Sequence, residues 1–216
     1  MNKVVYGNCL SGLIFYNKLA DFLRDEGYSC NPYDECTWNK QVKGSQMTVQ
    51  FFVNDLMVSH WSQEELEQMI ERINAKFKTK TQELSVTRGD VHDYLGITID
   101  YSNPLFVRFT MYDFLEDILS EAEGRRSMKG TAVTPATEDL FKIDRSLKPL
   151  KQEEQEYFHR TTARFLFVAK RSRPDVSLTV GFLCTRVKDP NKSDYMKLAR
   201  LMRYMRRMIH LPLCIS

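Results

Sequence analysis

An α+β fold is predicted by two kinds of periodicity that follow one another along the chain. Helical spacing and β-branched, alternating runs take turns over the first 122 residues, and the last third reads as helical throughout. Grouped strands followed by a helical tail argue an antiparallel sheet with packed helices and then a small helical unit. The expected boundaries are 1–122 for the mixed domain, 123–149 for a linker or irregular stretch, and 150–216 for the basic helical region.

The elements follow in order. Lys3 to Gly7 opens the chain as a short extended or turn segment. Leu13, Tyr16, Ala20 and Leu23, beside Phe15, Leu19 and Phe22, repeat at helical spacing with a broad apolar face. Gly27 then suits the left-handed position that ends a helix. Asn31-Pro-Tyr-Asp34 reads as a turn and Cys36 to Lys40 as a strand, joined through polar Lys43-Gly-Ser-Gln46 to a strand carrying Val49, Phe51 and Val53. Ser62-Gln-Glu-Glu65 has the pattern of a capping box, in which Ser62 and Glu65 reciprocally satisfy free backbone N–H groups. Leu66, Met69, Ile70, Ile73 and Phe77 continue it as a helix ending near Lys78. Tyr94-Leu-Gly-Ile-Thr-Ile-Asp100 and Phe106 to Met111 flank Ser102-Asn-Pro104 as a second hairpin, and Asp113 to Ala122 is a short amphipathic helix. Three further helices are expected over 152–171, 174–187 and 193–208, the second with proline in its first turn.

Composition sets the class. The chain has 216 residues, 43% apolar and 27% charged, which is globular rather than disordered. No apolar run approaches the roughly 20 residues that span a bilayer, and no leader pattern is present, so an intracellular, non-secreted protein (cytoplasmic or nuclear) is expected. Five scattered cysteines form no C-x-x-C pair, against a zinc site or disulfide framework. The net charge of +3 conceals an asymmetry. From Arg160 to His210 thirteen Lys and Arg face three Asp. Such a surplus is either a solvated face or an electrostatic footprint for a polyanion.

The stretch from Met47 to His60 is the centre of the chain. Two short apolar runs, Thr48–Val53 and Leu56–Ser59, meet at Asn54-Asp55, a pair that marks a tight turn. Such a turn lifts Asp55 out of the sheet, where a carboxylate can meet a metal ion; an ordinary hairpin with a polar tip is the alternative.

Several motifs occur together in one order: Lys3…Tyr6-Gly7, Asn31-Pro-Tyr-Asp34 with Cys36, Phe52-Val-Asn-Asp-Leu56, Tyr94-Leu-Gly96, Thr134-Pro135, Ser172-Arg-Pro-Asp-Val176, and Leu201-Met-Arg-Tyr204 with Ile209-His210. In this order the chain resembles the C-terminal part of a copia-type retrotransposon reverse transcriptase. The resemblance implies a partial polymerase palm followed by a small helical thumb or connection segment. It implies template-primer-dependent nucleotidyl transfer by two Mg2+ ions held by three carboxylates, one on an earlier strand and two at this turn. Asp55 stands at one of those positions, and Asn54, a neutral amide, stands at the degenerate first position of the pair. The earlier strand and the RNase H domain are expected to lie outside the chain, so this polypeptide alone is expected to be catalytically impaired.

Further roles are implied by the same resemblance. Tyr94, Leu95 and Gly96 match the part of the family that steadies the primer end, with Gly96 allowing close backbone approach or else marking a bulge. Lys3, Tyr6 and Gly7 match a segment near the incoming nucleotide. Arg200, Arg203, Arg206 and Arg207 fall on one helical face, with Tyr204 nearby for stacking, as phosphate contacts to a nucleic-acid template–primer. His60 is expected to be structural, His159 a packing residue and Asp175 a helix cap. The partners implied are nucleic acid and an N-terminal polymerase portion or partner chain. The alternative is a non-enzymatic, domesticated module that binds nucleic acid or a polymerase partner.

Overall fold

The computed structural model describes residues 9–53, 55–78, 84–122 and 128–216; Lys3, Tyr6 and Gly7 lie outside them, as does Asn54. Among the described residues, six α-helices and two four-stranded antiparallel sheets form an α+β fold. The chain divides into two compact units, Met1–Thr87 and Arg88–Ser216. The boundary expected at residue 122 falls inside the second unit. Met111, Leu115, Ile118 and Leu119 share one core with the helices that follow, so hydrophobic burial ties them to that side.

In the first unit, α1 (Cys9–Asp25) ends where expected. Gly27 takes φ +84°, its N–H reaches Arg24 O, and Tyr28 N–H reaches Leu23 O, which together satisfy two end carbonyls of the helix. The strands β1 (Ser29–Asn31), β2 (Asp34–Val42), β3 (Ser45–Phe52) and β4 (Asp55–Ser59) pair in chain order. β2 is longer than the 36–40 expected, because Lys43 and Gly44 both adopt left-handed angles and close a two-residue turn directly onto Val42 and Ser45. Helix α2 (Gln63–Phe77) follows. Leu19 and Leu23 of α1 and Met69 and Ile73 of α2 share a core with Trp38, Met47, Val49 and Phe51 from one face of the sheet. Tyr28 is sealed into it, its hydroxyl 2.8 Å from the Met47 sulfur, and burial pushes its phenol up to about 12.

The capping box expected at Ser62 does not form, although Ser62 is the N-cap of α2. Glu65 is drawn instead to Lys43, 3.0 Å away, and Glu64 lies 2.8 Å from the same ammonium. The backbone N–H that Glu65 would have taken goes to His60 Nδ1 at 3.2 Å. Because Nδ1 accepts, the proton sits on Nε2 and is donated to Val42 O at 3.1 Å, so His60 is structural as expected.

The second unit opens with β5 (Val91–Tyr94), β6 (Ile97–Asp100) and β7 (Val107–Thr110), a meander whose far edge is taken by β8 (Leu213–Ile215), a strand the sequence reading did not contain. Helices α3 (Tyr112–Ser120), α4 (Gln152–Ala169), α5 (Ser177–Arg186) and α6 (Lys192–Arg207) surround one core built on Phe158, Phe165, Val180, Leu183, Leu198 and Met202. A short 3-10 turn over Pro174–Val176 precedes α5. A capping box does form here: Asn191 accepts from Ser193 and Asp194 N–H while Asp194 accepts from Asn191 N–H. His159 is exposed rather than packed, since α4 turns Tyr157 and Phe158 inward instead.

Candidate functional site

The β3–β4 hairpin alternates. Met47, Val49 and Phe51 point into the core, leaving Thr48, Gln50 and Phe52 on the opposite face. Phe52 pairs with Asp55, so Asp55 is the first residue of β4 rather than part of the turn. The register explains this correction. Pairing Phe52 with Asp55 sets Phe51 against Leu56 and Val49 against Val58. A turn that took in Asp55 and paired Val53 with Leu56 would slide β4 by two residues and pull His60 away from Val42 O. The compromise falls on Val53, a β-branched residue held at φ +54° and 56% exposed.

Asp55 is exposed and shares the outward face with Phe52. That face is uncharged over its centre. Ser29, Asn39, Thr48 and Ser59 stand in one row across four strands, and Thr37, Gln50 and Met57 in the next. Asn39 Oδ1 accepts from Thr48 Oγ1 at 2.8 Å and from Gln46 Nε2 at 3.0 Å. Among the described residues no group of three or more His, Cys, Asp or Glu side chains is placed to hold a metal ion. Asp55 therefore stands without two further described carboxylates, and the donor set present does not fit a two-metal site.

In the second unit Leu95 and Gly96 form a two-residue hairpin turn after Tyr94, the last residue of β5, and not a strand with a bulge. Tyr94 pairs with Ile97, and Leu95 and Gly96 have φ of +53° and +75°. Gly96 thus serves the turn, and a methyl group at its Cα would lie 4.0 Å from the Phe167 ring.

The arginines of α6 are partly engaged. Arg200 donates to Thr134 Oγ1 at 2.9 Å, Arg203 to Lys129 O at 3.4 Å, and Arg206 to Met128 O at 2.9 Å and Gly130 O at 2.7 Å. They pin the irregular segment that precedes α4 onto the helix, while Arg207 is exposed. Tyr204 does not present its ring for stacking. It is buried, and its hydroxyl donates to Asp175 at 2.8 Å. Asp175 is not a helix cap either: Arg173 grips it through Nε at 2.9 Å and Nη2 at 2.8 Å. The Arg-Pro-Asp spacing was the available signal, but only burial of Arg173, 1% exposed, shows that the pair is internal.

The model of the family described as Reverse transcriptase (RNA-dependent DNA polymerase) matches residues 1–137. Over 158 residues the chain is 23% identical to the Transposon Ty1-JR2 Gag-Pol polyprotein of Saccharomyces cerevisiae, covering 73% of this chain and 9% of that one. Over 161 residues it is 27% identical to a protein of Arabidopsis thaliana described as an uncharacterized mitochondrial protein, covering 74% of this chain and 61% of that one. No solved structure matches the chain.

Proposed function

Because the chain belongs to the reverse transcriptase family, in its copia-type retrotransposon branch, we propose that its first unit is the part of a polymerase palm that carries the metal turn. In the same reading the second unit is the primer-contacting and thumb or connection part, and the ligand of both is a template–primer duplex. The chain spans 9% of the length of the yeast polyproteins it matches, so activity of a whole polymerase is part of this proposal rather than a premise.

The observation that carries the reading is the β3–β4 hairpin. It sets Asp55 at the end of a sheet face whose central rows are uncharged, at the motif position where family members hold Mg2+. The neighbouring position is Asn54, whose amide supplies a carbonyl oxygen but no charge. Two divalent cations about 3.5–4 Å apart repel strongly unless anionic oxygens surround them. With Asp55 the one carboxylate among the described residues of this hairpin, the chain is impaired in nucleotidyl transfer and retains nucleic-acid binding.

Primer extension by the purified chain, with Mg2+ and a primed RNA template, tests this. No extension is expected, and Asn54→Asp, which adds a second carboxylate but not a third, should not restore it. Template-dependent extension by the unaltered chain would overturn the impairment. The non-enzymatic reading is favoured by the same amide, and it shares the prediction of salt-sensitive duplex binding.

A further inference from the structure

The Leu95–Gly96 turn, Phe167 and Arg171 meet at one aromatic ring. Phe167, half-buried on α4, stands beside Gly96 on one side and contacts Phe114 with ring centroids 5.2 Å apart. The Arg171 guanidinium lies 3.6 Å from the centre of the same ring, the tightest cation–ring distance among the described residues. Stacking at this distance fixes the plane of a guanidinium while leaving its N–H edge unengaged.

What separates Arg171 from its neighbours is the absence of an acceptor. Arg160 and Arg164 pair with Glu121, Arg173 with Asp175, and Arg186 with Asp194. Arg200 and Arg206 donate to loop oxygens. Among the described residues Arg171 has no ion pair and no side-chain hydrogen bond, only its ring contact. It is half-buried, held by an aromatic side chain, and next to Lys170, which is exposed. An arginine oriented by stacking and left with its donors free suits an oxyanion that accepts from its planar fork through two oxygens, such as the non-bridging pair of a phosphodiester.

We propose that Arg171, stacked on Phe167 beside the Leu95–Gly96 turn, takes a backbone phosphate of the nucleic acid that this turn approaches. The proposal rests on the duplex-binding reading above and adds a residue to it. Phe167 acts through Arg171 and is a positioning residue. The contact carries no base information, so it strengthens binding to all sequences alike.

The test is binding of the full chain to a fluorescent RNA–DNA duplex, followed by anisotropy across a salt series. Arg171→Ala is expected to weaken binding on the order of tenfold, as for loss of a hydrogen-bonded charge. It should also reduce the slope of log K against log salt by about 0.9, the value for one phosphate. Arg171→Lys should restore the slope but not the full affinity, because the charge returns without the fork. Arg145→Ala, an exposed arginine away from the ring, should leave both unchanged. Equal losses from Arg171→Ala and Arg145→Ala, or no change in slope for Arg171→Ala, would overturn the assignment while leaving duplex binding intact. A parent chain that binds no duplex at all would overturn both. Phe167→Leu, with the charge kept, is expected to lower affinity at an unchanged slope, and a changed slope would remove Phe167 from its positioning role.

Discussion

Arg173 is 1% exposed, and its guanidinium is aimed at two acceptors, the Asp175 carboxylate and the Met208 carbonyl at the end of α6, 2.8 Å away. Burial alone would raise the Asp175 carboxyl, but hydrogen bonds from Arg173 and Tyr204 and the guanidinium charge outweigh it, so it is held below the ordinary value. A carboxyl lowered in the folded state contributes stability above the unfolded value of about 3.9 and loses it as pH falls through the folded value. Arg173→Ala is expected to reduce unfolding free energy by about 3 kcal/mol, the low end for a broken buried pair, because the Asp175 side chain keeps 31% of its surface. Urea titrations read it, and the deficit should shrink as the pH falls below the unfolded value and through the lowered folded value of Asp175. A midpoint equal to that of the parent at neutral pH would show the pair to be dispensable. The string Ser172-Arg-Pro-Asp175 offers the pair by its spacing but not its burial, which comes from the helices packed around Arg173.

At the scale of elements, period alone located α1, α2, both hairpins and the three C-terminal helices, because each buries one stripe or one face. Failures cluster where a distant group competes for a local one. Lys43 takes Glu65 from the N-terminus of α2, and His60 fills the gap. Asn54-Asp55 has turn chemistry, yet the pairing of Phe52 with Asp55 and of Phe51 with Leu56 puts Asp55 in β4. The arginine face of α6 was correctly placed on one helix, but the carbonyls of an irregular segment cannot be read from spacing. Arg206 binds two of them, Met128 O and Gly130 O. Arg206→Ala is expected to raise hydrogen exchange across 128–134 at a cost of about 1 kcal/mol, modest because the side chain is exposed. Unchanged exchange in that segment would mean that Arg200 and Arg203 hold it by themselves.

For the whole molecule, the two cores are separately complete. Leu19 to Ile73 supply one and Met111 to Met205 the other. Residues 88–216 expressed alone are therefore expected to show a helical far-ultraviolet spectrum and a cooperative urea transition. A gradual, non-cooperative loss of signal would deny that unit its independence. The α+β class was legible because strands and helices are grouped along the chain, whereas the place of the division was not. Glycine-flanked, polar residues 123–130 look like a linker, but α3 on one side and α4 on the other bury against each other.

Strand β8 reached the second sheet without any periodic signal, since Leu213-Cys-Ile215 is too short to show one. It pairs with β7 from roughly a hundred residues further along the chain, a high-contact-order closure that must wait for the intervening helices. During synthesis β7 emerges roughly a hundred residues before its partner. Until then the hydrogen-bonding edge of β7 is open to any extended segment nearby, including that of another nascent chain. The vulnerable moment for this protein is thus its birth on the ribosome, when a sheet edge is exposed for as long as translation takes to deliver β8.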